Sequence, residues 1–467
     1  MLMMAALLLP VASSSAETVT TLGDSGDGSL RAAIANAAPG ETIDFQAGLE
    51  GTIELATGLT VAKDLRIAGP GARHLAISGM DVTRVLHVDG AGTELEIDDV
   101  TIRDGVTPDD EPFGGGVLVT GGDRVRLTRV AVLNNVAQGT GGPFGGGIAA
   151  FVGRLELHDS TVAGNRAAAG GGGIAVGVPF EVVNSTVADN SSGAGAGLLA
   201  RAGAMGTVRH TTFSGNTAAV KGHAIGADGT SLVTVERSLL PGNGPAGQPP
   251  CDGSVASGGG NVSDAPCFAA PAAGDVVAAA PVGALADNGG PTDTMMPLAG
   301  NPALGHVPVP CPPSDQRGVA RPSGAACDAG AVEAPAPVQP VAPSADPAPP
   351  PAPPAPQAWA TTTLLSASAR TEAGGRFSVR LRCETVAATR CAGALKLRLG
   401  ARRLSRAFSI AAGGKALVRL RLSPGDRRRL AKRGSLRSAV TLVTTQPDGS
   451  KKTTHQGALR LLPTRRR

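Results

Sequence analysis

A short unit recurs along the middle third of this chain, and nothing else in the sequence narrows its fold so sharply. It first stands out at Leu95-Glu96-Ile97-Asp98-Asp99-Val100-Thr101-Ile102, and similar strings start at Val125, Leu155, Phe180, Gly206 and Val233. With Val100, Val130, Ser160, Ser185, Thr211 and Ser238 taken as equivalent, the step is 25 to 30 residues. A unit that short cannot enclose a core and has to bury its face against a copy of itself, which predicts a stacked solenoid.

The apolar residues of each unit keep fixed columns. Before the reference position stand Leu95/Ile97, Val125/Leu127, Leu155/Leu157, Phe180/Val182, Gly206/Val208 and Val233/Val235; after it stand Ile102, Val132, Val162, Val187, Phe213 and Leu240. Alternation on both sides of a bend means two short strands facing one interior. Next comes a column of Gly105, Asn135, Asn165, Asn190, Asn216 and Asn243. Asparagine tolerates a left-handed bend, and stacked amides can hydrogen-bond from rung to rung. Glycine clusters at 114–116, 145–147, 171–173 and 195–197 precede Val117, Ile148, Ile174 and Leu198, which reads as a tight turn into a third strand. Three parallel strands per turn, stacked about 4.8 Å apart, make an all-β, right-handed parallel β-helix. Weaker apolar strings from Thr52 to Val88 extend it towards the N-terminus, and Ser29–Ala38, with Leu30, Ala33, Ile34 and Ala37 on one face, is expected to cap it as a helix. Past Asn243 the columns lose register, and disulfide-stapled Gly/Pro loops are expected to close the other end.

Several of these strings resemble known families. Gly145-Gly146-Gly147-Ile148, Gly171-Gly172-Gly173-Ile174 and Phe213-Ser214-Gly215-Asn216 resemble the repeats of polymorphic outer-membrane-protein β-helices. Gly28-Ser29-Leu30-Arg31-Ala32-Ala33-Ile34 is similar to the CSLREA motif of secreted bacterial β-helix proteins, with Gly28 and Ala32 departing from it. Asp287-Asn288-Gly289-Gly290-Pro291-Thr292, Asp315-Gln316-Arg317-Gly318, Arg321-Pro322 and Cys327-Asp328-Ala329-Gly330-Ala331 look like a choice-of-anchor Q domain. The resemblance spans roughly residues 20 to 333 and implies export and coil shape; it brings no catalytic motif.

Charge divides the chain. Residues 359–467 hold 25 Lys/Arg against 4 Asp/Glu, net +21, while the preceding residues carry 17 basic and 34 acidic side chains. The apolar Leu2–Val11 stretch followed by Ser14-Ser15-Ala16 reads as an export signal, although it lacks a cationic start. No later segment has the apolar length of a membrane helix. Six cysteines fall into close pairs, Cys251/Cys267, Cys311/Cys327 and Cys383/Cys391. Nearest-neighbour disulfides follow in an oxidising compartment; zinc is the alternative, without C-x-x-C spacing or a His partner to support it. The expected organisation is a signal peptide (1–16), an N-terminal cap (17–50), the β-helix (51–245), a capping region (246–333), a Pro/Ala-rich linker (334–358) and a small Ig-like β-sandwich (359–467). The linker, as extended polyproline II, would reach ~75 Å.

In the basic tail, cations alternate with apolar residues, which predicts leucines inward and Arg380, Arg382, Lys396, Arg398, Arg419 and Arg421 on one outer face. Such a face attracts polyanions, unless it serves solubility alone. The expected partner is an anionic cell-wall or extracellular polysaccharide. Nucleic acid fits poorly, because aromatics for base stacking are nearly absent. Neither a cofactor nor a metal is expected, and the chain is read as a monomer.

An enzyme has to be weighed, since a lyase or inverting glycosidase acting on an acidic glycan is the alternative. Its best candidates are Asp99, Asp159 and His158, in or beside the bend column Asp99, Arg129, Asp159, Asn184, His210, Arg237. Asp99 and Asp159 would stand two rungs, about 9.6 Å, apart, near the inverting range. Arg129 between them points instead to charge neutralisation along a stack. Asp109-Asp110-Glu111 is acidic enough for a Ca²⁺ site but lies on a Pro-flanked loop and reads better as solvated, and His74, His87, His223 and His306 read as surface residues. The favoured function is a secreted or cell-surface β-helix with a binding, adhesive or structural role.

Overall fold

The computed structural model describes residues 16–335, 359–386, 390–399, 402–446 and 449–464. The expected signal up to residue 15 and the linker from 336 to 358 lie outside the described residues. The chain forms two compact units, Met1–Gln339 and Pro340–Arg467.

The first unit is the expected right-handed parallel β-helix, the crossover hand that twisted strands impose. Its first sheet, of ten strands, stacks Glu94–Asp98, Arg124–Thr128, Leu155–His158, Phe180–Val183, Met205–Arg209 and Leu232–Glu236 in parallel register. The second, also ten-stranded, places Ile102, Val132, Val162, Val187 and Phe213 one above another. The third, of eight strands, aligns Val117, Ile148, Ile174 and Leu198. All these columns meet in one buried core. Gly206 breaks the pattern for a steric reason: a Cβ there would overlap the ring of Phe180 on the neighbouring rung.

The Asn column forms an uninterrupted hydrogen-bonded file. Asn135, Asn165, Asn190 and Asn216 each donate Nδ2 to the Oδ1 of the next Asn at 2.9–3.0 Å, ending on Asn243. Each Oδ1 also accepts the backbone N–H of the preceding column member. Every amide is buried and fully used, which rigidifies a polar interior. The left-handed residue, however, is the one before the Asn: Asp104, Asn134, Gly164, Asp189, Gly215 and Gly242 have φ of 53° to 71°. The amide is retained for its file of bonds; its neighbour makes the turn.

The helix expected at the N-terminal end is present, though a strand precedes it, and the far end differs from the sequence expectation. Glu17–Val19 already pairs in parallel with Glu41–Phe45, so the helix Leu30–Asn36, N-capped by Ser29, interrupts a stack that has begun. Leu30, Ala33 and Ile34 bury their face in the same core. Beyond Asn243 the register persists: Cys251 stacks on Ile225, Val255 on Val233 and Val262 on Leu239. Cys251, bonded to Cys267, stands where an aliphatic residue would sit, which hid the rung from a search for apolar columns. Cys311–Cys327 and Cys383–Cys391 complete three nearest-neighbour disulfides.

The second unit is a small sandwich. A three-stranded sheet (Trp359–Leu364, Arg376–Val386, Lys415–Arg421) and a five-stranded sheet (Ser368–Arg370, Arg390–Leu399, Arg402–Ala411, Leu436–Thr445, Lys451–Leu462) enclose one core. Phe377, Val379, Leu381, Leu395, Leu397, Leu420, Leu442 and Leu459 fill it. The helix Pro424–Arg433, capped by Ser423 and closed by left-handed Gly434, leads into the Leu436–Thr445 strand.

Candidate functional site

The bend column that carries the enzyme candidates is left-handed throughout. Asp99, Arg129, Asp159, Asn184, His210 and Arg237 have φ between 46° and 58°. Such backbone costs roughly 1–2 kcal/mol per residue and often marks active sites when it occurs once. Here it recurs on six successive rungs, so it belongs to the coil. After four of these six bends the backbone N–H is met by a side-chain oxygen of the next rung: Val130 by Ser160 (3.0 Å), Ser160 by Ser185 (3.2 Å), Thr211 by Ser238 (3.2 Å) and Ser238 by Asn261 (3.0 Å).

Charges on the rod are paired from rung to rung. Arg129 grips Asp99 with two bonds, Nε to Oδ1 at 2.8 Å and Nη2 to Oδ2 at 2.6 Å, and these hold the Arg129 pKa up. On the first sheet, Arg124 pairs with Glu94 and Glu96, Arg126 with Glu156, Arg154 with Glu156 and Glu181, and Arg209 with Glu181. Burial alone would raise the Glu156 pKa, but hydrogen bonds from Arg126 and Arg154 outweigh it and hold the carboxyl below its ordinary value. Arg84, almost fully buried, takes Glu111 at 2.6 Å, which removes one carboxylate from the acidic loop. Among the described residues no group of His, Cys, Asp or Glu is arranged to hold a metal ion.

The segment from residue 280 to 334 does not close the end of the rod. It runs back along the second sheet as a strap, over the column the enzyme reading needs to be open. Thr161 Oγ1 donates to the Asp293 carbonyl at 2.6 Å, Gln316 bridges Thr161, Thr186 and Thr292, and Ala331 N donates to Thr212 Oγ1 at 3.0 Å. Asn184 reaches the Ser314 carbonyl, and Arg73, far up the rod, pairs with Asp287 and Asp293. Met295 packs on Ala163 and Ala188, while Ala303, Val307, Cys327 and Ala329 pack on Leu239 and Val262.

Asp159 therefore lies against its own chain. Thr292 bonds its carbonyl, burial raises its carboxyl pKa, and Asp315 of the strap adds to the rise. His158, half-buried on the first sheet, has its pKa lowered by burial. His210 is sealed in, 2% exposed; burial, and then the cations of Arg321, Arg237 and Arg209, push its pKa down to about 3. His223, expected at the surface, is buried, its Nδ1 accepting from Ala218 N. The strap is locked by Arg321, with fully buried side chain, which donates to the carbonyls of Asp328 and Gly330 and to Glu333.

The basic unit has the opposite electrostatics. Arg380, Arg382, Arg419 and Arg421 are exposed on the outer side of the three-stranded sheet, and Lys396 and Arg398 on the five-stranded one. Alternation separated inside from outside correctly but placed on one face what belongs to two sheets. Directly opposite one another across strands stand Arg376 and Arg421, Arg382 and Lys415, Arg398 and Arg403, and Arg437 and Arg460. Like charges in that position destabilise a sheet. Burial, and then Arg460, lower the Arg437 pKa. The same alternation extends to Arg376, exposed one residue before buried Phe377.

No protein-family model, curated protein or solved structure matches this chain. Among the described residues no helix is long and apolar enough to cross a membrane.

Proposed function

We propose that this is a secreted or cell-surface β-helix protein with a binding, adhesive or structural role, whose basic C-terminal unit associates with an anionic polysaccharide of the cell envelope. One observation carries the reading: in a unit of net charge +21, Arg376 faces Arg421 directly across strands with no carboxylate in ion-pair range of either among the described residues, at a cost to its own stability. An external polyanion supplies the missing counter-charge. Three disulfides and no free cysteine among the described residues suit an oxidising compartment, as do the apolar start and the resemblances to exported β-helix proteins. Against the lyase or hydrolase reading, Arg129 neutralises Asp99 and the strap lies against Asp159.

The test is to fractionate the producing cells into medium, wall and membrane, with the full chain and with a chain lacking residues 359–467. Loss of envelope association in the shortened chain is expected. Unchanged retention would remove the basic unit from the proposal.

A further inference from the structure

A polyanion can be attracted by a whole surface, yet it is gripped where donors converge. Such a place lies at one edge of the sandwich. Arg402–Ala411 is the edge strand of the five-stranded sheet and Lys415–Arg421 that of the three-stranded sheet. Consecutive in the chain, they end their sheets side by side, and a groove of about 390 Å³ opens between them. Arg376, Arg406, Arg419 and Arg421 line it, above an apolar floor that includes Leu404 and Leu420.

Arg406 is the informative residue. In its strand Phe408 and Ile410 point into the core and are buried, so alternation gives Leu404 and Arg406 the same inward phase. Arg406 is nevertheless exposed, because the two sheets part at this edge. An inward-pointing charge also protects an edge strand from pairing with another chain. That role needs one cation, and here there are four. Among the described residues none of the four has a carboxylate within ion-pair distance; Glu372, at the rim, is the only acid that lines the groove. Arg421 donates Nε to the Gly374 carbonyl at 3.1 Å, which fixes its fork in place. Guanidinium forks suit oxyanions bidentately, and the volume is that of a small-ligand site.

We propose that this groove is the specific recognition site of the basic unit and that it takes a single acidic residue of a glycan or polyol polymer. The carboxylate or phosphate lies between the guanidiniums of Arg376, Arg406, Arg419 and Arg421, and the carbon skeleton lies on Leu404 and Leu420. The inference rests on the polyanion reading above and adds a place, a stoichiometric unit and a requirement for arginine geometry. Carboxylate and phosphate share the chemistry, so both are used as probes.

The experiment measures binding of the full chain to polygalacturonate, to poly(glycerol phosphate) and to phosphatidylglycerol vesicles. Three variants are compared with the original: Arg376→Gln with Arg406→Gln, Arg406→Lys alone, and Arg428→Gln with Lys432→Gln on the exposed helix as a control of equal charge. The groove pair is expected to weaken binding to at least one polymer about tenfold or more, and Arg406→Lys to weaken it although the net charge is unchanged. The helix control is expected to shift it by less than about threefold, as a distant charge does. Equal losses in the two double variants would replace the groove by diffuse attraction, and full binding by Arg406→Lys would remove the geometric requirement. Binding to vesicles but to neither polymer would overturn the glycan assignment. Retention of the original chain by none of the three probes would sink the polyanion reading itself, and the groove with it.

Discussion

The rod and the basic sandwich solve the same problem, a surface crowded with charge, in opposite ways. On the rod most arginines meet a carboxylate, as in Glu94–Arg124–Glu96 and Arg126–Glu156–Arg154, while Arg201 lies over the Phe144 ring and Arg237 donates to the Pro310 carbonyl. On the sandwich the strands set Arg376 against Arg421, and Arg382, with only Glu384 at 3.8 Å, against Lys415; from residue 359 onward there are 4 acids to 25 bases. The rod pairs most of its own positive charge. The sandwich carries uncompensated charge at the expense of its own stability, and that difference directs the search for a partner to it rather than to the longer unit.

If the contrast is right, deleting a charge or polar group should be costly in the rod and nearly free, or favourable, in the sandwich. The largest effect is expected at the strap. Arg321→Met leaves Glu333 buried without its partner and should cost about 4–5 kcal/mol, seen as lost hydrogen-exchange protection across residues 292–331. Protection unchanged there would mean that the strap is held by its apolar contacts alone.

Within the rod, Asn165→Ala removes the acceptor of the Asn135 N–H and amide and the donor to Val132 O, and should cost about 4 kcal/mol in chemical denaturation. His210 comes next. Its folded pKa, about 3, lies below its unfolded value, so the unfolded chain binds the extra proton and stability must fall as the pH drops from about 6.5 towards 3. Asp159 and Asp328, whose pKa values burial raises, act in the opposite sense, so the comparison is with a variant. Between pH 7 and 4 the stability of the original chain relative to His210→Leu should decline by about 3 kcal/mol. A pH-independent difference would show that His210 does not titrate as its burial requires.

The small effects are the sharper ones. Asp99→Asn weakens a half-exposed pair with Arg129 and should cost no more than about 1 kcal/mol. Arg376→Gln should change sign: freed from repulsion by Arg421, the ligand-free sandwich gains a few tenths of a kcal/mol, ~0.2–0.5, in its thermal transition. A loss of the same size would mean that the cation pairs are not in conflict.

How much of this was readable beforehand follows from the kind of signal each feature leaves. The core columns were legible because a buried position repeats with the coil; Val132, Val162 and Val187 stack where the spacing placed them. The bend was displaced by one residue, because Asn serves its amide file while Asp104, Asn134 and Asp189 turn the chain, and acidic residues leave no distinctive mark there. The strap's residues stood out as a motif, Thr292, Gln316 and Arg321 among them, but its course along the second sheet was invisible. Its bonds join residues about 130 apart, such as Thr161 to Asp293 and Asn184 to Ser314, through backbone carbonyls that any sequence possesses. A column of outward Thr161, Thr186 and Thr212 flanked by Ala163, Ala188 and Ser214 was the one trace of that course, since small residues outside a coil leave room for a second layer. In the sandwich, alternation told inside from outside but not which sheet, and so the groove at the parting edges, with Arg406 in a core-facing phase, could not be seen.

Calorimetry of the full chain with and without poly(glycerol phosphate) or polygalacturonate, at low and at high salt, bears most directly on the contrast. Binding to one unit raises the transition of that unit alone. The sandwich transition is expected to rise with at least one of the polymers, and high salt to cancel the rise, while the rod transition stays where it was. A polymer that leaves the sandwich unmoved, or that shifts both transitions alike, would contradict the claim that its arginines await an external anion.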